Sequence, residues 1–302
     1  MLHIQHRPDD LSGFIGNKST KESLEVKFAD RKRLPHTFLI TGPSGCGKTT
    51  LGRIISNMLG TKGVDRKEMN TADFRGIDTA REIIQLCRTQ PFFSPCRTIM
   101  FDECHKLTPD AQEALLKILE EAPKSAYFIL ATTNPEKLKK TLRRRCFTLE
   151  VKLLSEEKLA KYLNKILVKE EKEVPEEILN RVVSRAEGSL GMALMMLNKV
   201  IDMPEESMAS VLDKMEEEEK QTFDLCRTLL NGNWKSVVSM LHSIQQEPED
   251  MRRMILGYFN SMLLNSGSIR AYKIIKAFSE NYYDSGKAGL SASCFRAVVL
   301  RK

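Results

Sequence analysis

From about residue 15 to residue 151, short apolar runs alternate with stretches whose apolar positions recur at helical spacing. Thr37-Phe38-Leu39-Ile40-Thr41, Thr98-Ile99-Met100-Phe101, Ala126 to Ala131 and Phe147 to Val151 read as buried strands. The spacing predicts helices near 48–59, 77–89 and 109–121. The last opens at Pro109, stops before Pro123 and places Ala111, Ala114, Leu115, Ile118 and Leu119 on one face. Alternation of this kind predicts an α/β domain built on a mostly parallel sheet.

Beyond Val151 the strand signal ends. Helices are predicted near 155–169, 175–186 and 188–202, broken at Val174-Pro175 and Glu187-Gly188, and Met203-Pro204 reads as a linker. Residues 205 to 302 are helical again, with breaks at Asn231-Gly232-Asn233, Glu247-Pro248 and Ser266-Gly267. The pattern therefore divides into an α/β domain (1–151), a small helical domain (152–203) and a second, all-α domain (204–302). The run Glu216-Glu217-Glu218-Glu219 reads as a solvated helix face.

Composition narrows the classes. Of 302 residues, 41% are hydrophobic and 29% charged, which suits a globular chain. No run approaches the roughly 18 apolar residues of a membrane span, and the first ten residues lack the shape of a secretory signal, so a cytoplasmic protein with no membrane partner is expected. Lys plus Arg (47) exceed Asp plus Glu (40), a formal +7 that permits a polyanionic partner without requiring one. The seven cysteines form no Cys-x-x-Cys pair, so neither a zinc site nor a disulfide framework is expected.

The sharpest chemical signal is Gly42-Pro43-Ser44-Gly45-Cys46-Gly47-Lys48-Thr49-Thr50, which follows a predicted strand and opens a predicted helix. Glycines let successive backbone N–H groups curl around one centre, and the helix brings its positive end there, so the segment reads as a nucleotide-binding P-loop. Lys48 is expected at the β- and γ-phosphate oxygens and Thr49 on Mg2+. Asp102 and Glu103 end the next apolar strand, where ligands of open α/β sheets bind. Asp102 is expected to join Thr49 on Mg2+, with Glu103 orienting the attacking water.

Asp102-Glu103-Cys104-His105 also spells a helicase-type box, but residues 152–302 hold no second nucleotide-binding half. His105 reads as a local structural residue. Thr132-Thr133-Asn134-Pro135 ends a further strand; Thr133 or Asn134 either senses the γ-phosphate or belongs to a strand-end turn.

These residues together resemble a clamp-loader ATPase of the AAA+ class over most of 5–200. Glu68 to Glu82 resembles replication factor C small subunits, and Ala114 to Pro123 and Phe128 to Asn134 resemble bacterial DNA polymerase III gamma/tau. Arg7-Pro8 with Phe14-Ile15-Gly16 resembles the segment that encloses the adenine. Leu142-Arg143-Arg144-Arg145-Cys146 stands where both groups carry Ser-Arg-Cys. The resemblance implies a P-loop AAA+ core, a helical lid and a C-terminal collar, in a homo- or hetero-oligomer expected to be pentameric. Its implied work is to load a sliding clamp onto primer–template DNA.

It also implies that Arg145 is an arginine finger reaching the ATP of a neighbouring subunit, with Arg143 and Arg144 as weaker alternatives. Arg75 and Arg81 are candidate DNA-phosphate contacts, or else partners of Asp73, Asp78 or Glu82. Phe92 and Phe93 either anchor in the clamp or fill the core, and Trp234, Tyr282 and Tyr283 are expected in core or subunit packing. The chain departs from the family at Gly191, where the lid normally carries arginine, and at Arg144, where the serine stands. It also lacks the four-cysteine zinc module of gamma/tau, which points to a replication-factor-C-like or phage-type subunit. Competing readings are a non-hydrolysing structural subunit and another AAA+ DNA motor such as a branch-migration helicase.

Overall fold

The computed structural model describes residues 1–70, 77–121, 123–243 and 246–299. The chain divides into two compact units, Met1–Glu205 and Glu206–Lys302. In the first, strands β1 (Thr37–Thr41), β2 (Arg66–Asn70), β3 (Arg97–Asp102), β4 (Ala126–Thr132) and β5 (Phe147–Glu150) form one parallel sheet in the order β2-β3-β4-β1-β5. Thr41 stands opposite Thr132 on one side and Glu150 on the other, so the ends of β1, β4 and β5 lie level.

Each central strand is buried on both faces, and this is why β1 is continuously apolar between its threonines. Phe38 and Ile40 pack with Leu24 of α2 (Lys18–Ala29) and with Leu51, Ile54 and Ile55 of α3 (Lys48–Met58). Leu39 points the other way, into a cluster with Phe101, Phe128, and Leu115 and Ile118 of α5 (Pro109–Glu121). Strand β2, Arg-Lys-Glu-Met-Asn, carries no apolar run to announce it. It lies at the sheet edge, where charged side chains are tolerated and discourage further pairing.

After β5 come α7 (Glu156–Glu170), α8 (Glu176–Arg185) and α9 (Leu190–Val200), closed around Leu159, Leu163, Ile178, Val182 and Leu197. The second unit holds most of α10 (Glu205–Asn231), then α11 (Trp234–Ser243), α12 (Pro248–Ser266), α13 (Ile269–Ala277) and α14 (Gly286–Val299). Its core gathers Leu225, Ile255, Phe259, Ile274, Phe278 and Cys294, with Tyr282 buried among them. Trp234 packs edge-on against Phe295 at 5.0 Å between ring centres, whereas Tyr283 is exposed. Among the described residues no helix is long and apolar enough to cross a membrane.

Candidate nucleotide-binding site

The loop from Gly42 to Gly47 joins the end of β1 to the first turn of α3. A side chain at position 42 would collide with the Val151 carbonyl, 2.1 Å from an ideal Cβ, and Gly47 caps α3 at φ 97°. Both positions therefore need glycine. Lys48 is buried, and its Nζ donates to the carbonyls of Gly42 at 3.0 Å and Pro43 at 2.8 Å. The ammonium is thus anchored inside the loop it serves, so Gly42 and Pro43 act through Lys48 and not as part of the cavity wall.

A cavity of about 290 Å3 opens over this loop, near the lower end of small-molecule sites. Ser44, Gly45, Cys46, Lys48, Thr49 and Thr50 form its floor together with Gly47. Arg7, Pro8, Phe14 and Ile15 line one side, and Leu190, Gly191 and Leu194 of α9 the other. Gly16 sits behind that wall, its missing side chain leaving room for Leu154. Burial, and the charge of Arg53, hold the Arg7 guanidinium below its ordinary pKa. His3 and His6 also reach the cavity. Nothing in the sequence pattern announced them, because they precede every motif.

Asp102 and Glu103 complete the site. The Thr49 hydroxyl donates to Asp102 Oδ2 at 2.9 Å, which ties the first turn of α3 to the end of β3. A carboxylate and a hydroxyl at one point are hard oxygen donors of the kind Mg2+ takes alongside phosphate, so these residues fit that ion. Glu103 occupies the left-handed region at φ 53°, and its N–H donates to Asp102 Oδ1 at 2.9 Å. A non-glycine residue there costs on the order of 1–3 kcal/mol and is held only where its surroundings demand it. Its Oε2 lies 3.4 Å from His105 Nε2 and 3.8 Å from Lys106 Nζ.

Thr133 and Asn134 do not line the cavity; they connect to it through His105. Thr132 and Thr133 place their hydroxyls 3.2 Å and 3.5 Å from His105 Nδ1, and Asn134 Nδ2 donates to the Thr133 hydroxyl at 3.3 Å. His105, expected as a local structural residue, also reaches beyond its own turn: it stands between Glu103 and the end of β4. Burial pushes its imidazole below the ordinary pKa, against the opposing pull of Glu103.

Arg145 follows α6 (Lys140–Arg144) and does not line its own chain's cavity; its Nη2 lies 2.7 Å from Glu120 Oε1 on α5. Arg143 and Arg144 line a separate cleft with Lys140. Arg75 lies outside the described residues, and Arg81 belongs to α4 (Ile77–Arg88) with its side chain likewise outside them. Phe92 and Phe93 stand 73% and 86% exposed, which removes the core alternative for both. All seven cysteines are free thiols, and burial pushes Cys146 up to about 12.

Residues 38–153 match the ATPase family associated with various cellular activities (AAA). The chain is 30% identical over 275 residues to DNA polymerase III subunit gamma of Buchnera aphidicola subsp. Schizaphis graminum, across 82% of this chain and 74% of that one. It is 30% identical over 245 residues to the replication factor C small subunit of Methanothermobacter thermautotrophicus, across 80% and 76%. Among solved structures, the RuvB Holliday junction branch migration motor of Thermotoga maritima shares the fold. It superposes with a TM-score of 0.61 at 20% identity, over 80% of this chain and 86% of that one. With its P-loop and acid pair meeting at one cavity, the chain belongs to the clamp-loader AAA+ ATPases, the family of the DNA polymerase III gamma and replication factor C small subunits.

Proposed function

We propose that the chain is an ATP-hydrolysing subunit of an oligomeric clamp loader, which opens a sliding clamp and places it on primer–template DNA. In this reading residues 1–151 form the ATPase core, 152–203 the lid and 204–302 the collar that holds neighbouring subunits. Lys48 binds the β- and γ-phosphates, while Arg7, Pro8 and Ile15 flank the base. Thr49 and Asp102 hold Mg2+, which when bound neutralises charge on the phosphate oxygens. Glu103 orients the attacking water and accepts its proton; Thr133 and Asn134 act at one remove, through the end of β4.

Arg145 serves a neighbour's ATP. Phosphoryl transfer spreads charge over the γ-phosphate oxygens, and a guanidinium inserted there is worth roughly 10³–10⁵ in rate. Its absence from the lining of its own chain's cavity supports a role in trans. Arg75 and Arg81 contact DNA phosphates, and Phe92 with Phe93 anchors in the clamp.

One observation carries the reading. Lys48, Thr49, Asp102 and Glu103 meet at one cavity, in a chain that matches clamp-loader subunits over most of its length. The test is retention of the full chain on immobilised sliding clamp from the same source, with and without a non-hydrolysable ATP analogue. Analogue-dependent retention is expected. No retention under either condition, with ATP-driven strand displacement in the absence of clamp, would move the chain to the DNA motors. ATP binding without turnover in the complete assembly would make it a structural subunit.

A further inference from the structure

The most closely knit side-chain network outside the phosphate loop is centred on His105. Its ring is 9% exposed and sits in the short turn Cys104–Lys106 directly after the acid pair. Nε2 faces Glu103 Oε2 at 3.4 Å, while Nδ1 faces the hydroxyls of Thr132 at 3.2 Å and Thr133 at 3.5 Å.

Hydrogen-bond bookkeeping assigns the proton. The His105–Glu103 contact is an ion-pair distance; a carboxylate repels a ring lone pair, so the nitrogen facing Glu103 is assigned the hydrogen. Nδ1 then presents a lone pair, which needs a donor. The Thr132 oxygen already accepts the Asn134 N–H at 3.0 Å, leaving its own hydrogen for Nδ1. The Thr133 oxygen likewise accepts from Asn134 Nδ2. With Nε2 protonated, one consistent arrangement runs from the Asn134 N–H through the Thr132 hydroxyl and the imidazole to Glu103.

We infer that His105, protonated on Nε2, is a positioning residue that fixes the Glu103 carboxylate to the end of β4. Lys106 also faces Glu103, but it lies 3.8 Å away and is largely exposed, so it restrains the carboxylate weakly. Glu103 has a strained backbone and a partly exposed side chain, and His105 supplies a nearly buried partner that is itself tied to the end of β4. Displacing Thr132 or Thr133 would then be felt at Glu103 without either threonine touching the nucleotide. This inference rests on the proposed role of Glu103 as the water-orienting base.

Two measurements test it. In the full chain labelled with 15N-histidine, with the His105 signals assigned by their loss in His105→Gln, two-bond proton–nitrogen spectra read the tautomer directly. A protonated Nε2 and a bare Nδ1 are expected; protonation on Nδ1 alone would overturn the proposal. In the complete clamp-loading assembly, His105→Ala should lower kcat about tenfold or more while the Kd for ATP stays within about twofold. His105→Gln, whose amide can donate where Nε2 does, should recover much of that loss. In a Glu103→Gln background, His105→Ala should have no further effect. Unchanged kcat in His105→Ala, failure of His105→Gln to recover, or a loss additive with Glu103→Gln would each reject positioning through Glu103. Wild-type turnover in Glu103→Gln alone would instead reject the role given to Glu103, and the tautomer measurement separates the two failures.

Discussion

The carboxylate of Asp65 accepts the backbone N–H of Phe93 at 2.8 Å, and through this bond a fully buried charge holds an exposed ring outward. The same carboxylate takes the N–H groups of Phe92 at 2.8 Å and Ser94 at 3.0 Å, and Arg97 Nη2 lies 3.6 Å from it. Burial pushes Asp65 up, yet the donors at Phe93, Phe92 and Ser94 hold it below the usual carboxylate value. A turn pinned by a carboxylate presents its side chains with little conformational freedom to lose on docking. Asp65→Asn should therefore raise hydrogen exchange at the Phe93 and Ser94 amides by about tenfold or more, since one acceptor oxygen becomes a donor. Phe93→Ala should change unfolding stability by less than about 0.5 kcal/mol, while weakening clamp binding by about 2 kcal/mol, roughly 30-fold. Equal clamp affinity in Phe93→Ala would remove the aromatic pair from the interface.

Acid sensitivity of the second unit follows from Glu249. Arg252 grips its carboxylate with Nε at 2.8 Å and Nη2 at 2.6 Å, and the Tyr282 N–H adds a third donor at 2.9 Å. The Arg252 hydrogen bonds, together with Tyr282, bring Glu249 down to about 2 from 4.5. A folded-state value below the unfolded one means that the unfolded chain takes up the proton first. The contribution is complete above about pH 4.5 and is lost progressively as pH falls toward 2. Trp234, the single tryptophan, lies in this unit and reports its unfolding. The urea midpoint read from its fluorescence should fall between pH 5 and pH 3, and Glu249→Gln should flatten that fall.

The central strands were legible because burial on both faces leaves an unbroken apolar run, as in Phe38-Leu39-Ile40. The phosphate loop was legible because Gly42 and Gly47 answer local backbone demands that no other residue meets. Strand β2 was not, because an edge strand needs no apolar run and Arg66-Lys67-Glu68 mimics a surface loop. The exposure of Phe92 and Phe93 was equally hidden. Two adjacent phenylalanines read as either core or surface anchor until Asp65, 27 residues away in the chain from Phe92, is seen to hold their backbone. The reach of His105 is hidden for the same reason: its partners Thr132 and Thr133 come from β4 and the residue after it.

Arg145 and Glu120 form an ion pair of 2.7 Å with both side chains about half exposed. Such pairs contribute about 0–1 kcal/mol, so releasing the guanidinium from Glu120 costs little. Glu120→Gln should therefore shift unfolding stability by less than about 0.5 kcal/mol. Arg145→Ala should leave the Kd for ATP unchanged and lower DNA-stimulated turnover by about 10³. Mixing an Arg145→Ala chain with a Glu103→Gln chain should restore partial turnover, because each supplies what the other lacks across a shared interface. Stimulated turnover at the wild-type level in Arg145→Ala would end the trans assignment.

Gly191 is the second residue of α9, faces the nucleotide cavity, and has no atom within 4 Å of where a Cβ would stand. The first atom of a side chain at position 191 meets nothing and would project from a residue that lines the cavity, so Gly191→Arg is the substitution to test. Helix propensity favours the change by up to about 1 kcal/mol, partly offset because a cation near a helix N-terminus opposes the dipole. A charge-assisted bond from the new guanidinium to a γ-phosphate oxygen adds about 1.5–3 kcal/mol. The Kd for ATP should therefore fall by about tenfold, with ADP affinity much less affected because ADP lacks the γ-phosphate. Titration of a fluorescent ATP analogue against both chains, with ADP in competition, measures this difference. Equal ATP affinity in the two chains would mean that α9 does not approach the triphosphate when nucleotide binds.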